Sequence, residues 1–167
     1  CNSVRNGQMN GNYAWTTNGG WNNGWIGNDP ANNLYLAQTI ENLNSGPVSN
    51  EVKLTFDLGG GNWAYAGWAT LDIYLGGTKY ATFSNPQYST TVTGVASNGA
   101  TLGNFTPFNT NGSNVIYRTA VTLTIPWVSK PNSSELKFTF NANYDDFGID
   151  NLNITGTCTG NNNSPGG

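Results

Sequence analysis

Apolar and polar residues alternate in short runs along most of this chain, separated by clusters of Asn, Gly, Ser and Pro. Val52, Leu54, Phe56 and Leu58 interleave with Lys53, Thr55 and Asp57, and Leu71, Ile73 and Leu75 interleave with Asp72 and Tyr74. A period of two puts one set of side chains on a buried face and the other in water, which is the signature of half-buried strands. The runs predict strands at 33–40, 51–58, 69–75, 79–83, 88–95, 116–125, 135–141 and 148–154. No segment carries a helical period. Gly76-Gly77 between Leu75 and Thr78 is a two-residue hairpin signal. Pro126 and Pro131 bracket a break between two late strands. The pattern is that of an all-β sandwich. It predicts one domain over residues 1–158, followed by an Asn/Gly/Pro-rich tail at 159–167 that reads as a flexible linker to further modules.

Composition narrows the range of ligands. Only 9% of the 167 residues are charged, while 13% are aromatic, so the chain can fill a core but owes its polarity to Asn, Thr and Ser. A net charge of −3 with basic residues scattered singly gives no nucleic-acid footprint and no polybasic membrane patch. No apolar run is long enough to insert into a membrane. A polar, uncharged surface suits neutral ligands such as sugars.

The two cysteines, Cys1 and Cys158, stand far apart in the chain. In a secreted or cell-surface protein they read as a disulfide joining the first and last strands. A lipid-modified Cys1 with an unpaired Cys158 is the alternative.

Asp145, Asp146 and Asp150 gather three of the nine acidic residues into six positions, and Lys137 is the nearest basic residue. Carboxylates this dense repel one another unless a cation or water lies between them. Two readings fit: a bound calcium ion, or a solvated acidic turn ahead of a final strand. The chain has no histidine, which excludes a Ser-His or Cys-His nucleophile, and with both cysteines read as a disulfide it argues against a transition-metal site. Glycoside hydrolysis needs two carboxylates flanking one bond, and Glu41, Glu51 and Glu135 each stand alone. The inventory is that of a binder, not an enzyme.

Six tryptophans require an explanation. Trp15 and Trp127 lie in apolar or strand-bounding contexts and are expected in the core. Trp21 and Trp25 flank Asn22-Asn23-Gly24, and Trp63, Tyr65 and Trp68 fall in the Gly-rich stretch that follows Leu58, read here as a loop. Aromatic faces beside amides are what neutral sugars use, because C–H faces stack on the ring and hydroxyls bond the amides. The alternative is that these rings fold inward and plug the ends of the sandwich.

Three separated patterns together resemble a known group. Val4-Arg5-Asn6-Gly7-Gln8-Met9-Asn10, followed by Trp15 and Gly20-Trp21, resembles the "N-G-x-F-E … G-W" opening of jelly-roll (galactose-binding-like) carbohydrate-binding modules. Leu36-Ala37-Gln38-Thr39-Ile40 with Val52-Lys53-Leu54-Thr55-Phe56-Asp57 resembles their "L-x-Q-T-I … Y-x-L-T-F-D" strand pair. Phe147-Gly148-Ile149-Asp150-Asn151-Leu152 resembles their "F-x-I-D-N-V" closing strand.

The resemblance implies an antiparallel jelly-roll β-sandwich that binds a neutral glycan or cell-surface ligand without catalysis. It also implies a structural calcium held by the closing-strand Asp150 and by the opening position. That opening position is Asn10 here instead of Glu, with Asp145 and Asp146 available to restore charge. The same fold also serves as an adhesin or fibre-building domain at bacterial surfaces, so the fold does not settle the function.

Overall fold

A computed structural model of the chain describes residues 8–9, 24–26, 31–41, 43, 50–62, 65–110, 117–143 and 145–155. Asn10, Trp15, Trp21, Trp63, Cys1, Cys158 and the 159–167 tail lie outside the described residues.

Twelve strands are present among the described residues: β1 (Gln8–Met9), β2 (Gly24–Ile26), β3 (Ala31–Ile40), β4 (Glu51–Asn62), β5 (Trp68–Leu75) and β6 (Thr78–Asn85). They continue as β7 (Thr91–Ala96), β8 (Thr101–Gly103), β9 (Phe108–Asn109), β10 (Tyr117–Pro126), β11 (Ser134–Asn143) and β12 (Asp145–Thr155). One sheet has the order β1-β3-β11-β5-β6-β7-β9 and the other β2-β12-β4-β10-β8. Every pairing is antiparallel.

The connectivity is that of a jelly roll. β3 pairs β11 in the first sheet and β4 pairs β10 in the second. The connections from β3 to β4 and from β10 to β11 both cross between sheets, so the two-stranded ribbon wraps around the core. The pairs β5·β11 and β4·β12 repeat the same wrap one strand further on. The antiparallel jelly-roll sandwich expected from the sequence is therefore the observed fold.

The predicted alternation also sets which side chains are inside. Val52, Leu54, Phe56 and Leu58 of β4 are buried, as are Leu71, Ile73 and Leu75 of β5, Leu136, Phe138 and Phe140 of β11, and Val121, Leu123 and Ile125 of β10. Aromatic rings join the two layers. Phe56 meets Phe83 and Phe138 edge-on at 6.0 and 5.8 Å, and Phe140 meets Phe147 at 6.0 Å. Such edge-to-face pairs add roughly 0.5–1.5 kcal/mol each beyond area burial.

Of the three register shifts among the described strands, two coincide with a change in the buried phase of a strand. Among the described side chains of β12 the buried ones are Asp145, Phe147 and Ile149 and then Leu152 and Ile154, a slip from odd to even. The register makes the same slip. Asp150 opposes Asp57 and Asn153 opposes Thr55, so β12 carries one extra residue there. In β6 the adjacent Tyr80 and Ala81 are both buried, and the register against β5 shifts at that point.

Gly76 and Gly77 turn β5 into β6 with φ of +62° and +83°, as a two-residue hairpin requires. Beside them Trp127 is buried, and its indole Nε1 donates to the Pro131 carbonyl at 2.8 Å. It plugs this end of the sandwich, as its strand-bounding position suggested.

The Gly-rich stretch after Leu58 is a correction. Gly59, Gly60, Gly61 and Asn62 continue β4 and do not form a loop. β4 is central, and the pairing of Gly59 and Gly60 with both β10 and β12 satisfies backbone groups that a loop would leave buried. Glycine at 60 also admits close neighbours, since a Cβ there would lie 3.1 Å from Val92 Cγ2.

Candidate functional site at one end of the sandwich

The register brings the end of β4, the start of β5, the ends of β6 and β11 and the start of β12 to the end opposite the Gly76-Gly77 hairpin. Asn62 pairs Asp145, Trp68 pairs Asn143, and Ala69 pairs Asn85. The aromatic stretch and the acidic stretch, separate in sequence, thus meet at one end.

Among the described residues the most exposed rings there are Tyr65, 60% accessible, and Tyr88, 61% accessible. Tyr65 lies in the turn before β5, and Tyr88 in the turn after β6. Their ring centroids are 5.7 Å apart at an interplanar angle of 57°. The backbone N–H of Tyr88 donates to the Tyr65 carbonyl at 3.0 Å, locking the two turns together.

The local sequence explains the second turn. Ser89 N–H donates to the Pro86 carbonyl at 3.0 Å, which closes a β-turn with Tyr88 at its third position. Tyr88 has φ of +63°, where glycine is the usual occupant. A bulky residue held there costs about 1–3 kcal/mol, and such outliers concentrate at functional sites. Two further bonds brace the turn: Ser89 Oγ accepts from Thr91 N–H at 3.1 Å, and Thr90's carbonyl accepts from Thr110 N–H at 2.7 Å.

Beneath these turns lies a buried polar pair. Asp145 is fully buried, and its Oδ2 accepts from Asn85 Nδ2 at 3.1 Å. Asn85 is 1% exposed, and its Oδ1 has no hydrogen-bond partner among the described residues. A buried carboxylate and an orphaned buried amide oxygen are both costly to hide from water without compensation. Both are hard oxygen donors of the kind calcium takes, and neither suits zinc.

Several expectations are revised. Asp145 and Asp146 belong to β12, not to a turn or a loop before it. Extended strand carries Asp150 five positions, about 17 Å, from Asp145, too far for one ion to hold both. Asp150 lies opposite Asp57 in the register. Among the described residues no three acidic side chains converge.

Trp25 is the middle residue of the short strand β2, opposite Gly148, and not a loop residue, because an edge strand there pairs with β12. Trp68 opens β5 and is half-buried, so Tyr65 presents the more open ring. Tyr88 and Asn85 were not among the expected site residues. Alternation places Tyr88 at the start of a strand, whereas β7 begins at Thr91. The Asn85-Pro86 dipeptide, a turn initiator, is the local signal that marks the turn.

No protein-family model matches the chain, and no curated protein matches it in sequence. Among solved structures it is similar to "CBM35 from Cellvibrio japonicus Abf62", at 10% identity and TM-score 0.41 over 96% of each chain. It is also similar to the CBM36-1 domain of a multidomain xylanase from the hindgut metagenome of Trinervitermes trinervoides. That likeness has 14% identity and TM-score 0.33, over 87% of this chain and 94% of that one.

Proposed function

We propose that this chain is a non-catalytic carbohydrate-binding domain of a secreted, multidomain protein, with its sugar site on the Tyr65–Tyr88 platform. The carrying observation is that two exposed rings from different turns are tied by a backbone hydrogen bond, one of them at a costly positive φ. Small residues, Asn98, Asn104 and Ser129, hold the other positive-φ non-glycine positions among the described residues, and Tyr88 alone there is a large aromatic. Exposed aromatic faces with few surrounding charges fit the C–H face of a neutral pyranose. The sequence resemblance to jelly-roll carbohydrate-binding modules supports the same reading.

Calcium stabilisation belongs to the proposal. Asp145 and Asn85 Oδ1 are the donors favoured for an ion at the platform end, and a calcium there would rigidify the base of both turns. Asp146 and Asn10 remain the other candidate donors for that ion, and Asp150 would serve only an ion further along β12. A Cys1–Cys158 disulfide would contribute roughly 4–5 kcal/mol in the chain-entropy model.

The test is affinity electrophoresis against a panel of soluble neutral polysaccharides. Wild type should be retarded by at least one of them, and the Tyr65→Ala/Tyr88→Ala double variant should not. Equal retardation of both proteins, with wild type retarded, would remove the platform from the site. No retardation of wild type by any polysaccharide would favour the second reading, an adhesin or fibre-building domain.

A further inference from the structure

We infer that Tyr65 and Tyr88 form an oxidative cross-linking site, at which a haem peroxidase and hydrogen peroxide join the two phenol rings by a carbon–carbon bond. The inference rests on the placement of the two rings and not on the sugar-binding reading of the same surface.

Coupling two phenols requires that the oxidant reach both and that their ring edges meet before either radical is lost. Both rings are more than half exposed, so the oxidant has access to each. The backbone supplies the meeting. The N–H of Tyr88 on the Tyr65 carbonyl, at 3.0 Å, fixes the two residues side by side and leaves their ring centroids 5.7 Å apart. Partners held this way react as parts of one molecule, at an effective concentration that a second chain in dilute solution does not match. The rings are tilted by 57° and not stacked. A biaryl bond likewise holds its rings twisted about the bond, so the pair starts near the geometry of the product. The torsion that turns a tyrosine ring is broad, and solvent on the outer side leaves room for the ring edges to close.

The step balances. Each phenol gives up one electron and its O–H proton, leaving a radical whose unpaired electron is shared with the ring carbons ortho to the oxygen. Two such carbons form the new bond, and the hydrogen on each then moves to its phenol oxygen, restoring both aromatic rings. The two electrons and two protons that left the protein reduce one hydrogen peroxide to two waters.

The other described tyrosines are placed differently. Tyr80 is buried, and Tyr35 and Tyr74 are half-buried on β3 and β5, strands that β11 separates by roughly 10 Å. The ring contacts of the core join phenylalanines, which carry no phenol to oxidise. Once formed, the link between the two turns would restrict the unfolded chain as a disulfide does.

The test treats the whole chain, at micromolar concentration, with a haem peroxidase and limiting hydrogen peroxide, and runs free tyrosine in parallel to show that the oxidant works. Wild type should gain the blue fluorescence of dityrosine, stay monomeric on a denaturing gel and lose two hydrogens in intact mass. Lys79 lies between the two tyrosines, so trypsin separates them unless they are joined, and the 54–79 and 80–118 peptides should appear as one species. Tyr65→Phe and Tyr88→Phe keep a ring at each position and remove only the phenol oxygen; each should cut the intramolecular product at least tenfold. An unmodified wild-type chain beside coupled free tyrosine overturns the inference, as does either variant giving as much product as wild type, or coupling only between chains. Affinity electrophoresis of the unoxidised chain judges the sugar platform separately, so either reading can fail alone.

Discussion

Tyr88 donates its backbone N–H to the carbonyl of Tyr65 at 3.0 Å, and their rings stand 5.7 Å apart although 23 positions separate them. One bond therefore joins two turns into a single surface. The conformation that makes this possible, φ of +63° at Tyr88, opposes the residue's own preference.

That conflict gives the first prediction. Tyr88→Gly should keep the turn and relieve the backbone, leaving Tm unchanged or raised by a few degrees. Affinity for a glycan that binds wild type should fall at least tenfold, because the ring is gone. Thermal melts and titration of one preparation check both. A large fall in Tm would mean that the ring holds the fold, which would support the plugging alternative.

Calcium separates two places on β12. Because Asp145 and Asp150 are about 17 Å apart along the strand, a calcium-dependent rise in Tm should be lost in one of Asp145→Asn and Asp150→Asn and kept in the other. The proposal at the platform end expects the loss in Asp145→Asn. Loss in Asp150→Asn alone would move the ion to mid-strand, near the register partner Asp57.

Asn85→Ala tests the buried pair without touching a charge. It removes the Nδ2 donor to Asp145 Oδ2, and withdrawing a partner from a buried carboxylate should cost about 1–3 kcal/mol. Urea unfolding measures this as a lower midpoint at unchanged m-value. An unchanged midpoint would show that solvent reaches the carboxylate.

Close packing makes the last prediction. A Cβ built on Gly94 would lie 2.8 Å from the Phe83 ring, which itself packs edge-on to Phe56 and Phe105. Gly94→Ala should destabilise by roughly 1–3 kcal/mol through overpacking. Phe138→Ala, which leaves a cavity beside Phe56, should cost about 3–5 kcal/mol. Both are read from denaturant curves, and a Gly94→Ala midpoint equal to wild type would show that Phe83 can give way.

Much of the fold was legible in the chain. Alternation placed β4, β5, β10 and β11 and assigned the inward residues of the first two, because pleat geometry and burial both act at a period of two. The glycine pair marked its hairpin for an equally local reason, since only positive φ closes so short a turn. Bulges defeated the same logic. At Tyr80 and between Asp150 and Asn153 the buried phase slips by one residue, and only the partner strand shows where the extra residue goes. The stretch from Gly59 to Asn62 reads as a loop because glycine marks turns locally, whereas two flanking strands hold it in a ladder.

The sequence by itself determined the class of fold, its inward faces, its low charge and the presence of spare aromatics and carboxylates, all of which depend on composition and short-range period. The tertiary structure decided which of them meet. Asn85 reaches Asp145 across 60 positions, Tyr88 reaches Tyr65 between two turns, and Lys137 settles on Tyr35 from the neighbouring strand. Those contacts follow from antiparallel register, in which residues distant in the chain become neighbours only once the ribbon has wrapped.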